Sequence, residues 1–131
     1  MKKTVKFDTI IRRLALKSTP KQGLHGCCLW NGPVYDRRIT TSYGRCRNPF
    51  QCQNLNQNKK SHLKVHKLLY MCMNHVTCLP ENMEVSHLCH NKLCIRSDHL
   101  VLETHAQNMM RITCKNNGWC TEAHGGPTCL L

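Results

Sequence analysis

The stretch EVSHLCHNKLCIRSDHL, residues 84 to 100, concentrates side chains that can bind metal or transfer protons. Its zinc-type ligands follow the spacing C-x4-C-x4-H and are Cys89, Cys94 and His99. A disulfide has no use for histidine, so the mixture of Cys and His favours zinc. A structural zinc normally has four ligands. The fourth must therefore be a distant cysteine, and the adjacent Cys27 and Cys28 are the candidates.

A second set of ligands lies downstream, in the segment CKNNGWCTEAHGGPTC. Nearly all its other residues are turn formers, so the segment has little except a metal to hold it folded. The spacing C-x5-C-x3-H-x4-C predicts a closed Cys3His zinc site. Its ligands are Cys114, Cys120, His124 and Cys129.

The segments around these ligands predict the order strand, metal-bearing turn, strand, helix. VSHLC predicts a strand that carries His87, and LVL after His99 predicts a second strand. Thr104 is a good N-cap for a helix that runs through Asn108 and Arg111. His87 and Asn108 then have no place in either zinc set.

The pattern SHLCHNKLCIRSDHL, ETHAQNMMR and the downstream C, C, H, C resembles the His-Cys box homing endonucleases, which are ββα-metal (His-Me finger) nucleases. The strong match covers roughly residues 84 to 129, and a weaker one reaches GCCLWNG and VHKLLY. The resemblance implies that Cys27 completes the first zinc site and that the second set is retained whole. It also implies His87 as the general base and Asn108 as the ligand of a catalytic Mg²⁺.

The chemistry of phosphodiester hydrolysis suits these residue types. A neutral imidazole can accept the proton of the attacking water at pH 7. Mg²⁺ prefers oxygen ligands and keeps several waters, so one amide oxygen is a sensible anchor. The two zinc ions would be structural and would fix the hairpin that positions His87 against Asn108. Together with these residues, the resemblance to homing endonucleases implies Mg²⁺-dependent, site-specific cleavage of double-stranded DNA, as in intron homing.

The charge of the chain also predicts a nucleic-acid partner. Its 131 residues carry a formal net charge of +12, and a small basic zinc domain most often meets a polyanion. VYDRRITTSYGRCR predicts one or two strands of an antiparallel sheet, and strands that carry Arg fit a DNA major groove. The predicted DNA contacts are Arg37, Arg38, Arg45 and Arg47, with Arg111 on the later helix reaching a phosphate.

The whole chain, residues 1–131, is predicted to form one α+β domain with little hydrophobic core, because it has only two Trp, two Phe and three Tyr. Residues 1–60 would hold an N-terminal helix and the DNA-reading strands and loop. Residues 61–131 would hold a helix, the ββα-metal core and the zinc loop. In SHLKVHKLLYMC, Ser61 is the expected helix N-cap, and His62 and His66 are expected at the surface or facing phosphate.

Two other functions remain open from the sequence. A zinc-stabilised DNA-binding module without catalysis would need neither His87 nor Asn108. A secreted disulfide protein fits less well, because the N-terminal segment lacks an apolar signal core and eleven cysteines are an odd number. The remaining cysteines are expected to be core thiols or alternative ligands: Cys46, Cys52, Cys72 and Cys78.

The cysteine usage and basic charge predict an intracellular protein, with the nucleus favoured over the cytoplasm or an organelle. No stretch is long enough to cross a membrane. The family resemblance adds a homodimer as the usual active form.

Overall fold

The computed structural model describes residues 6–38, 42–50 and 61–131. In chain order its helices and strands are α1 (Phe7–Leu16), β1 (Ser18–Gln22), β2 (Cys27–Trp30), β3 (Arg45–Arg47), β4 (His62–Lys64), α2 (Val65–Met73), β5 (Met83–His87), β6 (Leu100–Thr104) and α3 (His105–Asn117). The strands in the described ranges form three antiparallel pairs, β1 with β2, β3 with β4, and β5 with β6. This architecture confirms the predicted α+β fold class.

The core lies around α2, most of whose side chains are buried. Helix α1 packs against this core along its whole length. Leu14 is buried, and Phe7, Ile10 and Ile11 are partly buried. Their spacing follows the 3.6-residue period of a helix, which is why the sequence predicted α1 correctly. Trp30 from β2 and Leu63 from β4 close the same core.

The β5–β6 hairpin and α3 form the unit that carries the predicted chemistry. Val85 pairs with Leu102 and His87 with Leu100, so the end of β5 faces the start of β6. A capping box begins α3: the Thr104 side chain accepts from the Gln107 N–H, and the Gln107 side chain accepts from the Thr104 N–H. The predicted order of strand, turn, strand and helix is confirmed.

One local prediction is wrong, and another is confirmed only in part. Ser61 does not begin a helix, because the next residues pair with β3 as strand β4 and α2 starts only at Val65. The strands predicted from Val34 to Arg47 are confirmed in part. Among the described residues of this segment, Arg45–Arg47 form the antiparallel strand β3 and Val34 forms an antiparallel bridge with Gly44, whereas Arg37 and Arg38 lie in a turn. The Asn-rich loop at residues 51–60 lies outside the described residues. Within the part of the chain that is described, no helix is long and apolar enough to cross a membrane.

Candidate metal centres and the adjoining groove

The first metal centre joins strand β2 to the segment from Cys89 to His99. Its ligand atoms all lie within 4.8 Å of one another and belong to Cys27, Cys89, Cys94 and His99. The His99 Nδ1 atom is 3.6 Å from the Cys27 Sγ and 3.5 Å from the Cys94 Sγ. A tetrahedral zinc with bonds of about 2.3 Å to sulfur and 2.0 Å to nitrogen places such atoms about 3.5 Å apart. The donors and their spacing fit zinc.

The structure also separates the two candidates for the fourth ligand. Neighbouring residues in a strand point to opposite faces. Cys27 in β2 faces the other three ligands, whereas Cys28 packs against the hydrophobic core. Cys27 is therefore the residue of this pair that can hold the metal.

The second metal centre begins at the end of α3 and continues into the C-terminal loop. Its four ligands also lie within 4.8 Å of one another: Cys114, Cys120, His124 and Cys129. The His124 Nε2 atom is 3.3 Å from the Cys120 Sγ and 3.7 Å from the Cys129 Sγ. The opposite ring nitrogen donates to the Gly125 carbonyl at 2.6 Å, which orients the imidazole toward the thiols. This set fits zinc as well.

Arg111 links this loop to the rest of the fold. The residue is 0% exposed, and its Nε donates to the Glu103 carboxylate at 2.7 Å. Its Nη1 donates to the Pro127 carbonyl at 2.8 Å and lies 3.3 Å from the Cys129 Sγ. This buried position does not fit the phosphate contact predicted for Arg111. The sequence did not indicate that Arg111 is buried, because its ion-pair partner Glu103 belongs to a different element, strand β6.

His87 occupies the end of β5 and is 8% exposed. Its Nε2 donates to the Cys94 carbonyl at 2.9 Å, because a carbonyl can only accept. The neutral ring then carries its lone pair on Nδ1. Burial lowers the pKa of His87 to about 4, opposed by the hydrogen bond to the carbonyl. The imidazole is therefore neutral at pH 7 and can accept a proton.

A second buried histidine lies against His87. The His66 ring, from α2, has its centroid 4.2 Å from that of His87, and its Nε2 donates to the Val85 carbonyl at 3.0 Å. Its Nδ1 is buried and has no hydrogen-bond partner among the described residues. Burial, followed by the neighbouring His87, lowers the pKa of His66 well below its ordinary value. The surface position predicted for His66 is thus wrong, since the one-turn spacing to His62 carried no information about β4.

Tyr43 covers this pair of imidazoles. Its ring centroid is 5.3 Å from that of His66 and 6.2 Å from that of His87. The ammonium groups of Lys64 and Lys92 lie 4.0 and 4.9 Å from the centre of the Tyr43 ring. The two buried histidines therefore lie next to a locally positive surface, which favours an anionic ligand there.

A groove of about 680 Å³ opens beside His66. The elements that line it include β4, the start of α2, β5 and α3. Asn108 from α3 and Glu84 from β5 lie in its wall, and the Asn108 amide donates to the Glu84 carboxylate at 2.6 Å. An ionised carboxylate can only accept, so Nδ2 makes this hydrogen bond and the amide oxygen takes no part in it. Asn108 thus has its oxygen available for a cation.

The β3–β4 ribbon adjoins the groove and carries basic side chains on its outer face. Arg45 lies opposite Lys64, and Arg47 lies opposite His62. All four are exposed, while the intervening Cys46 and Leu63 point inward. Like charges placed directly opposite destabilise a ribbon, so this arrangement favours an anionic partner.

The other two predicted DNA contacts lie off the ribbon. Arg37 and Arg38 are exposed in the turn before residues 39–41. Arg38 is already paired, because its Nε donates to the Asp36 carboxylate at 3.2 Å. The hydrogen bond from the Arg38 side chain lowers the pKa of the Asp36 carboxyl group. The structure therefore places Arg45 and Arg47 together on the β3–β4 ribbon, whose strand β4 lines the groove, and leaves Arg37 and Arg38 in a separate turn.

Comparison with known proteins gives one kind of match. A family model described as the zinc-binding loop region of homing endonuclease matches residues 27–129. That span contains every ligand of both metal centres, together with His87 and Asn108. No curated protein and no solved structure matches the chain.

Proposed function

We propose that this chain, which belongs to the family of homing endonuclease zinc-binding loops, is a metal-dependent, site-specific endonuclease of double-stranded DNA. Family membership indicates a nuclease or DNA-binding role. The observation that carries the catalytic proposal is the groove, which is lined both by Asn108 and by β4 of the basic β3–β4 ribbon. A DNA backbone bound along the ribbon would pass Asn108 and His66.

In this proposal His87 is the general base. Its Nδ1 accepts the proton of the attacking water, while the bond from Nε2 to the Cys94 carbonyl keeps the ring in place. Because Cys94 is also a ligand of the first metal centre, that centre fixes the carbonyl that orients the base. A structural zinc bound there would thereby assist catalysis only by fixing the position of His87.

Asn108 would hold the catalytic cation through its amide oxygen. A bound Mg²⁺ would supply charge stabilisation at a phosphate oxygen and at the leaving 3′ oxygen. The chain's own contribution is the orientation of the amide, which the hydrogen bond to Glu84 determines. Lys64 and Lys67, which line the same groove, would attract the backbone phosphates.

Substitutions in the proposed pair test the catalytic role. His87→Ala should lower the rate of plasmid cleavage by about 10² to 10⁴ while DNA binding and zinc content stay near wild type, because no zinc ligand is lost. Asn108→Ala should also stop cleavage, and raising Mg²⁺ should partly rescue it but not His87→Ala. His75→Ala is the matched control, since His75 is exposed and stacks on Phe7 away from the groove. Wild-type cleavage by His87→Ala would remove it as the base.

The proposed DNA contacts can be tested through salt dependence. Binding of the wild-type protein should weaken steeply with salt, with a slope of about −0.9 in log K against log salt for each neutralised phosphate. Arg45→Gln and Arg47→Gln should each reduce that slope by about one unit. Arg12→Gln, at an exposed position of α1, is the control with the same change of charge. An equal loss of slope in all three variants would show that charge alone, rather than the ribbon, binds DNA.

The second candidate function is a zinc-stabilised DNA-binding module without catalysis. The observation that favours it is the burial of His87, which leaves the proposed base little contact with solvent. The cleavage assay decides between the two, because a pure binder would shift DNA on a gel and never cut it. A nuclear location, a homodimer and a role in intron homing stay predictions.

A further inference from the structure

Two glutamates lie side by side on one face of the β5–β6 hairpin. Glu84 of β5 and Glu103 of β6 are directly paired across the two strands. Both accept hydrogen bonds from α3, which packs on this face. Like charges placed directly opposite destabilise a sheet, so each carboxylate requires a compensating partner.

The fold compensates Glu103 with a permanent cation. Glu103 is 4% exposed, and both of its oxygens accept from the buried Arg111, at 2.7 and 3.0 Å. Arginine remains charged at every pH that a protein tolerates. This glutamate is therefore neutralised inside the structure and unavailable to a ligand.

Glu84 has no such partner. Among the residues that the structure describes, none of its ion pairs involves a Lys or Arg, and its contacts are the neutral Asn108 amide at 2.6 Å and the exposed His105 ring at 3.2 Å. Histidine is charged only when protonated. The Glu84 side chain is 37% exposed and lines the groove. The negative charge is thus left open to the space in which the proposed function places a DNA phosphate.

A lone carboxylate beside a phosphate path repels the phosphate unless a cation lies between them. Among the described residues that line the groove, Glu84 is the one acid, and its carboxylate lies directly beside the Asn108 amide, 2.6 Å from Nδ2. One carboxylate and one amide oxygen at adjacent positions are the donors that Mg²⁺ and Mn²⁺ prefer. By itself, the neutral Asn108 oxygen offers such a cation much less electrostatic attraction.

We propose that Glu84 is a cation-binding residue and that its carboxylate forms a divalent-cation site together with the Asn108 amide oxygen. The inference rests on the proposed function, because the cation is the one that the nuclease reaction would use. It predicts that the site binds a cation before DNA arrives, and that removing the Glu84 charge weakens this binding.

The test measures cation binding directly, without DNA and without cleavage. Zinc-loaded protein is titrated with Mn²⁺, and free Mn²⁺ is followed by its electron paramagnetic resonance signal. Mn²⁺ suits this purpose because it binds Cys and His sites less tightly than zinc and leaves both metal centres occupied. Wild type should bind one Mn²⁺, and Glu84→Gln should bind it at least about tenfold more weakly, because ligand charge sets the affinity of such sites.

The Gln variant separates ligation from positioning. Its amide oxygen can still accept from the Asn108 Nδ2, so a residue that only positions Asn108 would keep wild-type Mn²⁺ affinity as Gln. Asn108→Ala should weaken Mn²⁺ binding as Glu84→Gln does. Glu81→Gln is the matched control, since it removes the same charge from an exposed residue three positions earlier and should leave the affinity unchanged.

The possible outcomes separate this inference from the proposed function. Equal Mn²⁺ binding by wild type and Glu84→Gln, at any affinity, overturns the Glu84 site even if the wild-type protein cuts DNA. Loss of Mn²⁺ binding in Glu84→Gln supports the site even if the wild-type protein never cuts, and in that case the nuclease proposal alone fails.

Discussion

The two metal centres have similar ligands but hold the chain in different ways. The first joins distant segments, since Cys27 lies 72 residues before His99. It is also tied to the core, because the Trp30 N–H donates to Leu93 at 2.9 Å and the Ile95 N–H donates to Cys28 at 2.7 Å. The second takes all its ligands from residues 114–129, within a segment that has no regular structure after α3.

This difference sets the expected consequences of losing each metal. A cross-link that closes a long loop removes more freedom from the unfolded chain than one that closes a short loop. The first centre also lies where β2, the β5–β6 turn and the core meet. The second is attached through a few bonds, among them the Leu130 N–H to the Leu88 carbonyl at 2.8 Å. We infer that the first centre holds the domain together and the second holds a local loop.

Removing a ligand of the first centre should have the largest effect. Wild type should contain two zinc ions per chain by elemental analysis, and Cys94→Ser should lose the first ion and its cooperative unfolding transition. Structural zinc contributes about 10 to 16 kcal/mol in small zinc peptides, which matches or exceeds the total stability of about 5 to 15 kcal/mol of a typical domain. Cys28→Ser is the control and should keep both ions. If Cys28→Ser loses the first ion instead, the assignment of Cys27 fails.

The same substitution in the second centre should have a local effect. Cys120→Ser should lose one zinc ion and expose the loop after Gly118 to protease, while the amides of α2 and β5 keep slow hydrogen exchange. The reason is that the loop makes few contacts besides its metal ligands. Global unfolding of Cys120→Ser would mean that the two centres are equally integral to the fold.

Arg111 lies where the second centre meets the β5–β6 unit, so its loss should fall between a local and a global effect. Arg111→Met leaves the Glu103 carboxylate buried without a cation, which should lower the free energy of unfolding by about 3 to 5 kcal/mol. Urea denaturation in saturating zinc measures this. The double variant Arg111→Met/Glu103→Leu should regain part of the loss. If the single variant loses less than about 1 kcal/mol, Arg111 does not join the two parts.

The sequence predicted the two ligand sets well because spacing and ligand chemistry are local properties. The Thr104 cap and the β5, β6 and α3 order were predictable for the same reason. The sequence did not reveal the pairing of β3 with β4, which replaced the expected helix start at Ser61. Long-range contacts likewise determine the burial of His66 and the groove at Asn108. Local spacing thus predicted the metal centres, whereas the arrangement of the groove required the three-dimensional structure.

The smallest expected effect is the pH dependence of the free energy of unfolding that comes from His66 in the core. It can be distinguished from the pH dependence of the two metal centres. Each centre should lose zinc on acidification because its ligands take up protons. His66 is not a ligand of either centre. Its pKa is lowered by burial, so the unfolded chain, in which a histidine titrates near 6.5, binds more protons below neutral pH. The stability that depends on neutral His66 is therefore complete above about pH 6.5 and falls as the pH drops.

His66→Gln should remove this contribution, because Gln does not titrate and its amide can still donate to the Val85 carbonyl. Between pH 7.5 and 5.5 in saturating zinc, the wild type should lose about 1 kcal/mol more free energy of unfolding than the variant. Urea denaturation at several pH values measures the difference, and the zinc content determined at each pH verifies that both metal centres stay loaded. Parallel stability curves for the two proteins would mean that His66 is not kept neutral by burial.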